Sequence, residues 1–206
     1  MSNNNELLVE RELYLENGVH IGTQSQNADM EDYIFHVKKN GLAILDLDTT
    51  DKQIRSVAST LRKYPEDEIV VVGRKDEAYQ PIKTFSEEIG TKTINGRFMP
   101  GTFTNPQSDN FMEPEIVVVT DPEEDKQAVK EASDVDIPVI AIADSGDSLE
   151  NIDMVIAANN KGEKALAIVL YLLADQIKGE SEPLGANMED FTSQPIQVDE
   201  EEAAEA

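Results

Sequence analysis

Three short runs of uninterrupted aliphatic residues decide most of what this chain can become. Ile69-Val70-Val71-Val72-Gly73, Ile116-Val117-Val118-Val119-Thr120 and Val139-Ile140-Ala141-Ile142-Ala143 show no polar alternation, so strands built from them are buried on both faces. Stretches with helical spacing separate them. Thr50 caps the first, with apolar Ile54, Val57, Ala58 and Leu61, and Pro65 ends it. Residues 77–89 form a second, closed by Gly90. Pro122 to Ser133 form a third, and residues 161–178 a fourth, stopped by Gly179. Buried strands alternating with helices imply a parallel sheet with helices on both faces. Gly41 to Leu47, residues 93–98 and Met154 to Ala157 add shorter strand candidates. The predicted fold is α/β, a three-layer sandwich around a parallel sheet of about five strands.

The flanks read differently. Residues 6–17 have the pattern of a short amphipathic helix ending at Gly18, and residues 18–32 are polar and loop-like. Residues 99–114 hold three prolines, two threonines and two asparagines, which signal an ordered loop. After Gly179 the apolar period disappears, and Asp199-Glu200-Glu201-Glu202 lies in a segment too acidic to build a core of its own. The predicted organisation is a helix and polar contact loop over 1–35, the α/β domain over 36–179, and an acidic, disordered tail over 180–206.

The formal net charge is -25, and its distribution matters more than its sum. Residues 1–35 carry one base and seven acids, 36–97 eleven bases and ten acids, 98–178 five bases and sixteen acids, and 179–206 nine acids and no base. The middle of the chain is thus the part able to offer a basic face to phosphates.

Several function classes are disfavoured. There is no Cys, which excludes disulfides and thiolate metal sites and suits a cytoplasmic protein. Two histidines, His20 and His36, make a poor start for a catalytic zinc site. The longest apolar run, Ala165 to Ala174, has half the length of a membrane span of about 20 residues, and no leader is visible. No G-x-G-x-x-G, G-x-x-x-x-G-K-[ST] or G-x-S-x-G motif occurs. Asp46, Asp48, Asp121 and Asp144 sit at strand ends, where parallel sheets gather functional groups. They read first as helix caps, Asp121 before Pro122 especially. A cytosolic enzyme using these carboxylates with Mg²⁺ is the alternative.

Lys38, Lys39, Arg74, Lys75, Arg97, Lys161 and Lys164 are candidates to neutralise phosphates. Asn105, Gln107, Asn159 and Asn160 are candidates to hydrogen-bond sugar or phosphate.

Motifs in a fixed order sharpen this reading. They are Gly18-Val19-His20-Ile21-Gly22-Thr23-Gln24, then Asn40-Gly41-Leu42-Ala43-Ile44-Leu45-Asp46-Leu47 with Thr50, then Ile69 to Arg74 and Ala78-Tyr79-Gln80-Pro81-Ile82. Gly96-Arg97-Phe98-Met99-Pro100-Gly101-Thr102-Phe103-Thr104-Asn105-Pro106 is the most specific. Glu113 to Pro122, Ile137-Pro138-Val139-Ile140-Ala141 and Asn159-Asn160-Lys161-Gly162 follow. Over about residues 6–178 the chain resembles the small-subunit ribosomal protein S-two family. After Gln26 it passes directly to a strand, without the helical hairpin of bacterial members, so the resemblance is to the archaeal type. It departs from the family in carrying Phe35 and His36 where members often have more Arg, and Ala157 where they often have Pro. The resemblance implies a flavodoxin-like, Rossmann-like sheet and a place in the small subunit between head and body. It implies ribosomal RNA and neighbouring ribosomal proteins as partners, and no catalytic residue, cofactor, metal, DNA or membrane. It adds His20 and Gln24 to the RNA-contacting candidates.

Overall fold

The aliphatic runs pair as parallel neighbours. The structure, a computed structural model, describes residues 7–179 and 183–196. Its elements are α1 (Arg11–Glu16), β1 (Ile34–Val37), β2 (Ala43–Leu45), α2 (Leu47–Leu61), β3 (Ile69–Gly73), α3 (Asp76–Ile89), β4 (Lys92–Asn95), β5 (Ile116–Val119), α4 (Lys126–Asp134), β6 (Val139–Ala143), β7 (Met154–Ala157) and α5 (Glu163–Lys178). Short 3-10 turns stand at Ala28–Tyr33, Glu66–Glu68 and Met188–Phe191.

The sheet runs β4-β3-β5-β6-β7, all parallel. Alternate residues face opposite ways. Ile69, Val71, Val118, Ile140 and Ile142 pack with α2, α3 and α5. Val70, Val72, Val117, Val119 and Ala141 pack with α4 and with Phe98 and Phe103. Both faces are covered, so the expected three-layer α/β sandwich is present. Gly73 is required where β3 meets α3: a Cβ there would stand 2.3 Å from Ile82 Cδ1 and 2.7 Å from Thr120 Oγ1.

The apolar stretch around Ala43–Leu45 is a strand, but outside the parallel sheet. It forms an antiparallel pair with β1. Asp46 caps α2, its side chain accepting from Asp48 N at 3.3 Å, so extended chain ends after three residues. Gly41, at φ 85°, turns the chain back onto Ile34–Val37.

The flanking segments join the same core. Tyr14 and Val19 are fully buried. Asp51 accepts from Tyr14 Oη at 3.1 Å and from Leu8 N at 2.7 Å, and its other oxygen receives Arg55 Nε at 2.8 Å. Residues on both sides of the 35/36 boundary therefore share one interior. Residues 183–196 also pack, contrary to a disordered reading of that part of the 180–206 tail. Phe191 is buried edge-on against Tyr171, with centroids 5.5 Å apart. Glu163 accepts from Thr192, Ser193 and Gln194. One buried aromatic and one multiply bonded carboxylate hold what periodicity does not reveal. Residues 180–182 and 197–206 lie outside the described residues.

Candidate nucleic-acid interface

Parallel strands put all their carboxyl ends on one edge of the sheet, and with them the starts of α3, α4 and α5. That edge gathers Arg74 and Lys75 after β3, Arg97 after β4, Asp121 after β5, Asp144 after β6, and Asn159, Asn160 and Lys161 after β7. The helix starts add positive partial charge. The opposite edge is acidic and largely exposed: Glu66, Asp67 and Glu68 precede β3, Glu113 and Glu115 precede β5, Asp134 and Asp136 precede β6, and Asp153 precedes β7. Exposed acids also stand at the carboxyl edge, Asp76 and Glu77 at the start of α3 and Glu123 and Glu124 before α4, so what sets this edge apart is the gathering of Arg74, Lys75, Arg97 and Lys161 on it and not a net positive charge.

Two acids on the carboxyl edge are neutralised internally. Lys75 Nζ pairs with buried Asp121. Lys161 Nζ stands 2.8 Å from buried Asp144 Oδ2. Burial works against the Lys161 charge, but the hydrogen bond and charge of Asp144, with Asp147 and Asp121 beyond, hold its pKa above the usual lysine range. Asp121 also accepts from Glu123 N at 2.9 Å and Glu124 N at 3.0 Å, so it fixes the turn into α4. Below it Asp125 is 1% exposed, and neither carboxylate oxygen has a well-formed hydrogen bond. Burial, then the Asp121 charge, pushes its pKa up to about 7. Burial likewise lifts Asp147 to about 6. Strand-end Asp46, Asp121 and Asp144 are thus occupied with caps and ion pairs. Among the described residues no group of three or more His, Cys, Asp or Glu is placed to hold a metal ion.

The predicted contact residues divide by exposure. Lys38 and Lys39 are exposed at the β1–β2 turn, closed by Gly41 N to Lys38 O at 2.8 Å. Gln24 is exposed and reaches this turn through Asn40 O at 3.2 Å. Arg97, Asn105 and Gln107 are exposed. Arg74 is exposed beside Glu124 at 3.7 Å. Lys164 is half-buried. Three candidates are turned to other work. Asn160 is fully buried, donating to Ile142 O at 3.2 Å and Asp147 Oδ2 at 2.8 Å, so it braces the edge from inside. Asn159 donates to Gly18 O at 3.0 Å and accepts from Lys161 N at 3.0 Å, tying the 18–27 loop to β7. His20 is half-buried, and burial followed by the charge of Lys38 lowers its pKa, against a hydrogen bond to the Tyr14 backbone; it is a neutral group rather than a phosphate-pairing cation near pH 7.

Sequence reasoning passed over Glu131. This buried carboxylate on α4 accepts from Gly101 N at 2.7 Å, Phe103 N at 3.1 Å, Thr104 Oγ1 at 3.2 Å and Gln127 Nε2 at 2.8 Å. Burial alone would raise its pKa, but these four donors outweigh it and hold the carboxyl below the usual glutamate range. Glu131 thereby fixes the 99–105 loop that carries Asn105. Its long-range partners leave no local signal.

The profile of the family described as "Ribosomal protein S2" matches residues 14–110 and 107–179. The chain belongs to the ribosomal protein S2 family. It is 44% identical over 172 residues to the small ribosomal subunit protein uS2 of Saccharolobus solfataricus, covering 84% of this chain and 74% of that protein. It is 46% identical over 171 residues to the small ribosomal subunit protein uS2 of Haloquadratum walsbyi, covering 83% of this chain and 61% of that protein. As a member of the ribosomal protein S2 family, the chain is a structural, non-enzymatic component of the small ribosomal subunit. No helix among the described residues is long and apolar enough to cross a membrane.

Proposed function

We propose that this chain, in the cytoplasm, holds small-subunit rRNA against the carboxyl edge of its parallel sheet, at the junction of head and body. The carrying observation is that Arg74, Lys75, Arg97 and Lys161 gather where the strands end, with Asp121 and Asp144 paired there and Arg97 exposed, while the edge where the strands begin carries exposed acids. Lys38 and Lys39 extend the same basic side on the β1–β2 turn. Contacts of this kind go mainly to phosphate and sugar and read RNA shape. A neighbouring ribosomal protein is assigned to the apolar patch of Leu15, Ile21, Phe35 and Val37, which are 43%, 37%, 71% and 44% exposed. Leu15 and Phe35 line one groove with Ile44 and Leu47, and β1 offers an unpaired strand edge.

The test is affinity of the full chain for a small-subunit rRNA transcript across a salt series. Arg74→Glu with Arg97→Glu should weaken binding and flatten the salt dependence by roughly 0.7–0.9 in log–log slope per lost contact. Glu66→Lys with Asp67→Lys, on the other edge, should leave affinity undiminished by charge loss. Equal effects of the two pairs would overturn the assignment of the edge.

A further inference from the structure

Four carboxylates lie beneath the carboxyl edge of the sheet: Asp121 and Asp125 in the turn from β5 into α4, Asp144 and Asp147 after β6. None is more than 3% exposed, and β5 and β6 are neighbours. Two lysines serve them, Lys75 on Asp121 and Lys161 on Asp144. Asp125 and Asp147 have no ion-pair partner among the described residues. With every group ionised, four acids against two lysines would leave two uncompensated negative charges in the interior, a state that burial opposes strongly. Acting on Asp125 are the charges of Asp121 and Glu124, which disfavour its ionisation, and the backbone N–H groups of Asp121 and Arg74, which favour it. Asp147 faces the charges of Asp121 and Asp144, and accepts from Asp144 N and Asn160 Nδ2, each at 2.8 Å. Lys161 feels Asp147 and Asp121 as well as Asp144. Both Asp125 oxygens are enclosed, without a hydrogen-bond partner among the described residues.

An outside ligand cannot reach those oxygens, and among the described residues no group of three or more acids is placed to hold a metal ion. A proton needs neither a cavity nor a set of ligands. We propose that binding of rRNA to the carboxyl edge is coupled to uptake of a proton by this buried cluster, chiefly at Asp125. The Arg74 N–H ties Asp125 to the turn that carries Arg74 and Lys75, so ionised Asp125 adds negative charge beneath the place where a phosphate would arrive. A bound phosphate in turn favours the neutral acid, because such coupling is reciprocal. Burial raises the pKa of Asp125 to about 7 and of Asp147 to about 6. The proton is therefore exchanged near neutral pH, and RNA affinity falls as pH rises through these values. The inference rests on the RNA-binding reading above and adds a proton to the binding equilibrium.

The experiment uses the full chain and a small-subunit rRNA transcript at fixed low salt. Affinity is measured from about pH 5.5 to about pH 8.5, across the span of both raised carboxyls, and proton uptake by calorimetry in two buffers of different ionisation enthalpy. One charge roughly 10 Å from a phosphate, at an effective dielectric constant of about 40, changes affinity roughly fourfold. Wild-type affinity should fall by about that factor as pH rises, and binding near pH 7 should take up roughly a third of a proton. Asp125→Asn, which imitates the neutral acid, should keep the higher affinity up to about pH 8, with the proton uptake largely gone and the salt slope unchanged. His36→Gln controls for the exposed imidazole on β1 and should retain the pH dependence. A pH-independent wild type, or the full pH dependence and proton uptake persisting in Asp125→Asn, would overturn the linkage. Arg97→Glu separates the two levels: weakened binding there, beside a pH-independent wild type, leaves the RNA face standing without its proton. Wild-type affinity in Arg97→Glu beside a pH-independent wild type removes both.

Discussion

Replacing Glu131 is the most informative single change to the fold around the interface. Glu131→Ala removes a buried acceptor from four donors, two of them the backbone N–H groups of Gly101 and Phe103. Thr104 and Gln127 are exposed and turn to water, whereas Phe103 is 3% exposed and its N–H has no substitute. A hydrogen bond to a charged acceptor contributes roughly 1.5–3 kcal/mol net, so losing the two backbone bonds should cost about 3–6 kcal/mol. Glu131→Gln keeps one carbonyl oxygen but sets its amide against the second N–H, for a loss of about 1.5–3 kcal/mol. Urea denaturation supplies the stability difference, and amide exchange at Phe103 reports the loop directly. Because the folded pKa is lowered, the contribution is present above the ordinary glutamate range and is lost as pH falls through the folded value. The gap between wild type and Glu131→Gln should therefore narrow in acid. Unfolding of Glu131→Gln within about 0.5 kcal/mol of wild type, with unchanged Phe103 exchange, would refute the reasoning.

Charge reversal at Lys38 and Lys39 together should reduce incorporation into small subunits at physiological salt; normal incorporation in a competition assay would remove the β1–β2 turn from the RNA face. Asp125 and Asp147 have folded pKa values raised to about 7 and about 6, so their protonation favours the folded state at low pH and that stability is lost as pH rises through those values. Asp125→Asn should raise the melting temperature at pH 8 and have little effect only below about pH 4, where the unfolded carboxyl is protonated as well, and destabilisation at pH 8 would count against a buried, poorly bonded carboxylate. With a net charge of -25, the isolated protein should melt at higher temperature as KCl rises, because screening shortens from roughly 10 Å at about 0.1 M to roughly 3 Å at about 1 M; a midpoint falling steadily over that range would contradict it.

The central strands were legible because Ile69–Gly73, Ile116–Val119 and Val139–Ala143 are aliphatic without alternation, a pattern with few other uses. Gly90 and Gly179 likewise marked the ends of α3 and α5. The pairing of Ala43–Leu45 was not legible, since an aliphatic triplet says extended chain but not which neighbour it joins. Phe191 was hidden in an acidic segment whose average hides one anchor. For the interface, residue type identified the cations but not their direction. Lys75 and Lys161 turn toward Asp121 and Asp144, and Asn160 faces inward, because contacts separated by 46, 17 and 13 positions decide them.

The most direct test of which edge of the sheet meets rRNA is ultraviolet cross-linking of small subunits assembled with the full chain, followed by mapping of peptides that carry a nucleotide. Adducts should fall at the β1–β2 turn, after β3 and β4, in the 99–107 loop and near Lys161. Adducts concentrated instead around Glu66–Glu68, Glu113, Asp134 and Asp153, on the edge where the strands begin, would contradict the account.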